Sequence, residues 1–188
     1  MAKKLSLLLA AVAVVAFAVP AFAQAAPELT INGAKATEGQ TVTGTSTNAT
    51  TQTSLGQIKC ESVAVHGVVK TNSGSTVEVL DDPNVGNTSG TGCKVGTNSV
   101  PVSNVALTSI HTSTTGTGTF VASFEAKIGA VECKFSTAGS SGTYVGGASP
   151  LVITLTNVNL VGTPPACEPG TLNGAFTVTS PSGVVVLH

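Results

Sequence analysis

A hexapeptide pattern ending in cysteine occurs twice in this chain, and the cysteines it delivers constrain the fold more than any other feature. Leu55-Gly56-Gln57-Ile58-Lys59-Cys60 and the later Ile128-Gly129-Ala130-Val131-Glu132-Cys133 share the order aliphatic, Gly, any, β-branched, any, Cys. A second cysteine follows each copy at nearly the same distance, in the setting Cys-x-x-Gly-Thr: Cys93-Lys94-Val95-Gly96-Thr97 and Cys167-Glu168-Pro169-Gly170-Thr171. The pattern predicts two duplicated halves of about 73 residues, each carrying one cysteine pair.

The N-terminus sets the redox compartment of those cysteines. Lys3 and Lys4 precede an apolar run from Leu5 to Val19, Pro20 breaks it, and Ala21-Phe22-Ala23 supplies the small residues of a signal-peptidase site. The run is shorter than the roughly 20 residues of a spanning helix. The expectation is a cleaved leader over residues 1–23 and a secreted chain, extracellular or in the cell envelope. Nothing after the leader is long and apolar enough to form a membrane-spanning helix. Cleavage after Ala23 leaves a chain with six lysines, no arginine and nine acids, a formal net charge of −3. Without arginine or a basic patch, nucleic acid is excluded as a partner. Charged residues make up 9% of the sequence, so the surface must be built mainly from hydroxyls and amides.

Apolar periodicity points to strands throughout. Phe120, Ala122, Phe124, Ala126 and Ile128 alternate with other residues, as do Leu151, Ile153 and Leu155. Thr41, Thr43, Thr45 and Thr47 share one face of a half-solvated strand. Asn32-Gly33 and Asn72-Ser73-Gly74 are turn signals, and the phase slip near Asn104 calls for a bulge. Residues 48–54 and 139–147 read as polar loop and Gly-rich turn. The class is all-β: an antiparallel β-sandwich or a related barrel. The organisation expected is a leader (1–23), N-terminal strands and a loop (24–54), a first β repeat (55–111), a Thr/Ser/Gly linker (112–118), and a second repeat with a C-terminal strand (119–188).

Cys60, Cys93, Cys133 and Cys167 in an exported chain read as two disulfides. Three connectivities are compatible with the duplication, and sequence proximity favours Cys60–Cys93 with Cys133–Cys167. A four-thiolate metal site wants closely spaced pairs that this chain lacks, so no metal and no cofactor are expected. His66 and His111 lie inside strand patterns as surface or satisfied histidines. Neither H-E-x-x-H nor G-x-S-x-G is present, Gly139-Ser140-Ser141-Gly142 having the wrong spacing. The candidate binding residues are Asp81, Asp82 and Asn84, whose oxygens could meet a cation. Adjacent carboxylates in a loop more often make a solvated turn.

The leader, the Leu-Gly-x-Ile-x-Cys opening at residues 55–60 and the Cys-x-x-Gly-Thr-Leu-Asn-Gly run at residues 167–174 resemble a loose group of small exported bacterial proteins. These are rich in Thr, Val and Gly, carry paired cysteines and have no assigned activity. In style the chain is also similar to biofilm-associated and alkane-oxidation activator surface proteins. The resemblance implies a β-rich exported protein and carries over no catalytic residues. The functional expectation is a secreted or cell-surface structural or adhesive protein, not an enzyme. Its partners would be cell-envelope components or further copies of itself, joined for instance through the apolar C-terminal strand. The alternative is an extracellular module binding a small molecule, lipid or glycan.

Overall fold

Burial alternates residue by residue along the long strands, and that alternation decides which side of each strand faces inward. From Val63 to Val69, buried Val63, Val65, Gly67 and Val69 interleave with half-buried Ala64, His66 and Val68. Phe120, Ala122, Phe124 and Ala126 are buried as their spacing predicts. The computed structural model describes residues 26–82, 89–112, 116–137, 140–168 and 170–188. The leader, Asn84 and the middle of the expected linker lie outside the described residues.

In chain order the first strands are β1 (Leu29–Ile31), β2 (Ala34–Lys35), β3 (Thr41–Ser46), β4 (Thr50–Thr53), β5 (Gly56–Lys59), β6 (Ser62–Ser73), β7 (Thr76–Asp81), β8 (Gly90–Thr91) and β9 (Lys94–Val95). They are followed by β10 (Asn98–Ser99), β11 (Val102–His111), β12 (Gly116–Ile128), β13 (Val131–Ser136), β14 (Ser140–Tyr144), β15 (Val152–Thr163), β16 (Gly170–Ser180) and β17 (Gly183–Leu187). A 3-10 turn, Pro165–Cys167, joins β15 to β16.

All pairings are antiparallel, and they close on themselves. β3 pairs β6, β6 pairs β7, β7 pairs β11 and β11 pairs β12. From there β12 pairs β14, β14 pairs β15, β15 pairs β16, and β16 returns to β3. Of the two expected all-β forms, the closed ring is the barrel. Its inside is apolar and its outer faces carry hydroxyls and charges, the reverse of a barrel that faces lipid. The segment expected to link two halves leads from β11 into its hairpin partner β12, so both halves of the sequence share one ring.

Several local expectations have direct structural counterparts. Asn32 and Gly33, both at positive φ, turn β1 into β2. Asn104 sits at φ 52° in a bulge where the β11–β12 register shifts between Ser103 and Ala106. Three segments differ from expectation. Residues 116–118 of the expected linker already belong to β12, paired with β14. Thr50–Thr53 is a strand rather than loop, because Thr51 and Thr53 take the inward positions. Ser140–Tyr144 is a strand rather than a turn. Gly142 lets it cross close over the core, since a Cβ there would lie 2.7 Å from both Phe120 and Leu155.

The cysteines pair as Cys60–Cys93 and Cys133–Cys167. Lys59 stands opposite Lys94, so Cys60 and Cys93 are the next residues across the same ladder, with Cα atoms 3.9 Å apart. The second bond ties β13 to the 3-10 turn between β15 and β16. A narrow interior with no tryptophan has few large side chains to bury, which raises the weight of these cross-links. Replacing Cys133 and Cys167 together with serine opens a 34-residue closure. Urea unfolding of that variant is expected to show a loss of roughly 3–4 kcal/mol relative to the oxidised wild type.

Candidate functional site

Both copies of the repeated motif lie at the turn of a hairpin. Each lies at a two-residue tip, between β4 and β5 (Thr53 opposite Gly56) and between β12 and β13 (Ile128 opposite Val131). The glycines supply positive φ, 123° at Gly56 just after its tip and 63° at Gly129 as the first residue of its tip, so the two copies are displaced by two positions relative to the turns. Ile58 and Val131 face the same side as the cysteines two residues on, as the two-residue period requires. What the sequence does not reveal is that the tips border one groove. Leu55 and Ile128-Gly129 line one surface groove of about 380 Å³, with Val95, Val100 and Lys127.

Of the predicted binding residues, Asp81 and Asp82 lie within the described residues. Asp81 ends β7 opposite Gly67, and the Asp82 amide donates to the His66 carbonyl oxygen. Burial raises the Asp81 pKa, the Asp82 carboxylate beside it adds to the rise, and His66 opposes it. On the neighbouring strand, Thr43 Oγ1 lies 3.1 Å from His66 Nδ1. Asn84 lies outside the described residues. Among the described residues, no group of three or more His, Cys, Asp or Glu side chains could hold a metal ion.

His111 departs from its expected setting. Past the bulge at Asn104 the strand phase turns Ser109 and His111 inward and Ile110 outward. The imidazole is 2% exposed and packs edge-on against Tyr144 at 4.6 Å and Phe120 at 5.5 Å between ring centroids. Its Nδ1 is buried without a hydrogen-bond partner among the described residues. Desolvation pushes its pKa down to about 4. It borders one of two apolar interior cavities of about 40 Å³ each, which share Val65, Leu107 and Phe176 as a common wall. Each has room for a few water-sized molecules and not for a lipid or sugar.

The outer surface is divided by charge. Residues 39–58, 135–167 and 169–187 contain no Asp, Glu, Lys or Arg. These sequence-distant stretches form adjacent strands: β14, β15, β16, then β3 and β4. Ion pairs gather elsewhere, as Lys94–Glu61 at 3.5 Å and Lys134–Glu125 at 2.9 Å. The Lys134 hydrogen bond, joined by one that Glu125 accepts from Asn104 Nδ2 at 2.7 Å, draws the Glu125 pKa below the usual carboxylate range. No helix among the described residues is long and apolar enough to cross a membrane.

Comparison with known protein families, with curated proteins and with solved structures finds no match.

The buried imidazole gives the barrel a defined acid response. The unfolded state, with an ordinary histidine near 6.5, binds a proton that the folded state refuses until about pH 4. Stability from His111 is therefore complete above pH 6.5 and is lost as pH falls toward 4, by about 3 kcal/mol. Denaturant midpoints of wild type and His111→Phe across pH 4–7 check this: the variant should show a shallower acid decline. Parallel declines would place the acid sensitivity elsewhere.

Proposed function

We propose that this is an exported, non-catalytic structural or adhesive protein of the cell exterior, working through its outer surface. The observation that carries this reading is the charge-free hydroxyl wall over β14, β15, β16, β3 and β4, assembled from stretches far apart in sequence. A wall of threonine, valine and alanine offers many weak methyl and hydroxyl contacts and little desolvation penalty from ions. Disulfide bracing and a closed ladder suit a protein exposed to proteases outside the cell. Assembly by adding the C-terminal strand to another sheet is closed off, because β17 is paired with β1 and its carbonyls accept from the Leu151 and Gly147 amides.

A second reading rests on the groove between the hairpin tips. Its volume falls within the roughly 300–1,000 Å³ range of small-molecule sites. Aliphatic Leu55, Val95 and Ile128 beside the Lys127 ammonium suit an amphipathic anion such as a fatty acid. Titration with a fatty acid that shifts only the methyl resonances of Leu55, Val95 and Ile128 would favour it.

The main reading is tested by expression with residues 1–23 intact, followed by fractionation. The protein should be recovered outside the cytoplasm, beginning at Gln24 or Ala26, with all four thiols oxidised. It should stay on envelope preparations in about 1 M salt, where charge contacts are screened beyond about 3 Å. Cytoplasmic recovery with free thiols overturns export. Release by salt overturns attachment through the uncharged wall.

A further inference from the structure

We infer that the groove over the first cysteine pair binds a small acidic sugar, a hydroxylated molecule whose carboxylate or phosphate sits between Lys59 and Lys94. The groove has a volume of about 640 Å³, and Thr47, Gln57, Cys60 and Glu61 line it together with the two lysines. Those lysines stand on β5 and β9, outside the uncharged wall, so the inference is independent of the surface-acting reading.

The first support is the ladder. Lys59 on β5 and Lys94 on β9 are directly opposite, and both are exposed. Like charges in that position destabilise a sheet, since directly opposite Cβ atoms are only roughly 5 Å apart. Among the described cross-strand pairs this is the one that sets two like charges against each other. The Cys60–Cys93 disulfide one position along ties the two strands, so the lysines cannot part by a slip of register. Glu61 relieves the pair on one side only. Its carboxylate lies 3.5 Å from Lys94 Nζ, with both side chains at least half exposed. An ion pair so open to water neutralises little. No ion pair among the described residues reaches Lys59. An anionic group between the two ammoniums turns the repulsion into a pair of charge-assisted hydrogen bonds.

The second support is the contrast between the two copies of the cysteine motif. The residue before the first cysteine is Lys59 in one copy and Glu132 in the other. The residue after the second cysteine is Lys94 in one and Glu168 in the other. Charge is inverted at both positions. In the second copy the sheet matches Glu132 with Lys127. In the first it leaves the positive pair unmatched, although the chain beyond Ala23 holds nine acids to six lysines.

The third support is what surrounds the lysines. The volume falls within the roughly 300–1,000 Å³ of small-molecule sites. The Gln57 amide and the Thr47 hydroxyl each donate and accept hydrogen bonds, which suits the hydroxyls of a sugar ring. The Glu61 carboxylate only accepts, and it lies over Gly92, where a Cβ would be 2.5 Å from it. It gives the site a direction: the acid of the ligand lies toward Lys59 and its hydroxyls toward Glu61. Two lysines in a groove of this size hold one acidic group, not the phosphate run of a nucleic acid.

The test is an amide NMR titration of the soluble oxidised protein with glucuronate, glucose 6-phosphate and neutral glucose. At least one of the two acids should shift the amides of residues 57–61 and 92–96 saturably, with a Kd of about 1 mM or tighter. Response to both marks the anionic charge as the recognised feature, and response to one alone assigns the carboxylate or the phosphate; each supports the site. Lys59→Gln should weaken binding by about tenfold or more, and Lys70→Gln, on β6, should leave it unchanged. Circular dichroism verifies the fold of each variant, and Lys94→Gln carries the comparison should Lys59→Gln fail to fold. No saturable shift with either acid, equal binding of glucose, full affinity in the lysine variant or equal loss in the Lys70→Gln control overturns the inference. None of these outcomes bears on the uncharged wall, whose own test is attachment in high salt.

Discussion

The structure depends on one ladder closing: β16 pairs with β15 along one side and with β4 and β3 along the other. Thr177 and Thr179, near the end of the chain, pair across to Thr45 and Thr43, near its start. Each backbone hydrogen bond adds only about 1 kcal/mol net, yet an unclosed ring would leave two long edges open to other chains. Because the closing pairs are so distant in sequence, the loop entropy must be met before the contacts that reward it form. Register at the closure is fixed by the pleat. Val42, Gly44 and Ser46 turn inward while Thr41, Thr43 and Thr45 turn out, and a slip of one residue would exchange the two sets.

Inside the ring, small and β-branched residues do most of the filling. Phe120 and Phe135 are the largest fully buried side chains among the described residues, and Thr51, Thr53, Thr137, Ser46 and Ser109 occupy inward positions beside the aliphatics. Those polar groups are satisfied locally: Thr137 Oγ1 accepts from the Ala122 amide at 2.8 Å, and Thr53 Oγ1 donates to the Gly56 carbonyl at 2.8 Å. Asn72 performs the same service over a longer range. Its side chain exchanges hydrogen bonds with both backbone groups of Leu29 and donates to the Ala36 carbonyl, pinning β1 over the end of the barrel. Against that background His111 Nδ1, without a partner among the described residues, is a local departure, tolerated because the ring stays neutral between Phe120 and Tyr144.

Strands were legible in the sequence wherever apolar residues occupy the inward positions, as from Phe120 to Ala126, and turns wherever Asn and Gly force positive φ. Legibility failed where the inward residue is polar or absent. Thr51 and Thr53 in β4, and Gly142 in β14, are buried without being apolar, so the period-two signal vanishes and the segments read as loop. The bulge at Asn104 was visible, but its consequence, His111 turning inward, depends on which phase resumes after it. The repeated hexapeptide was visible as two motifs. That both border one groove is a property of ring order, which local residue patterns do not encode.

Closure and charge segregation together determine how such a chain can meet other molecules. A low-charge β protein with open edges would associate by adding strands, which is unspecific and leads toward aggregation. Closing the ladder and pairing β17 with β1 removes that route for the long strands, and among the described strands the two-residue β2 and β10 have a partner on one side only. What remains is contact between faces, and the faces differ. Around β12 and β13, any partner must displace water from Glu125, Lys127, Glu132 and Lys134 or supply matching charges. Over β3, β15 and β16 it need only fit small side chains. Sparse charge, a hazard in an open sheet, becomes a means of directing contact to one side of a closed one.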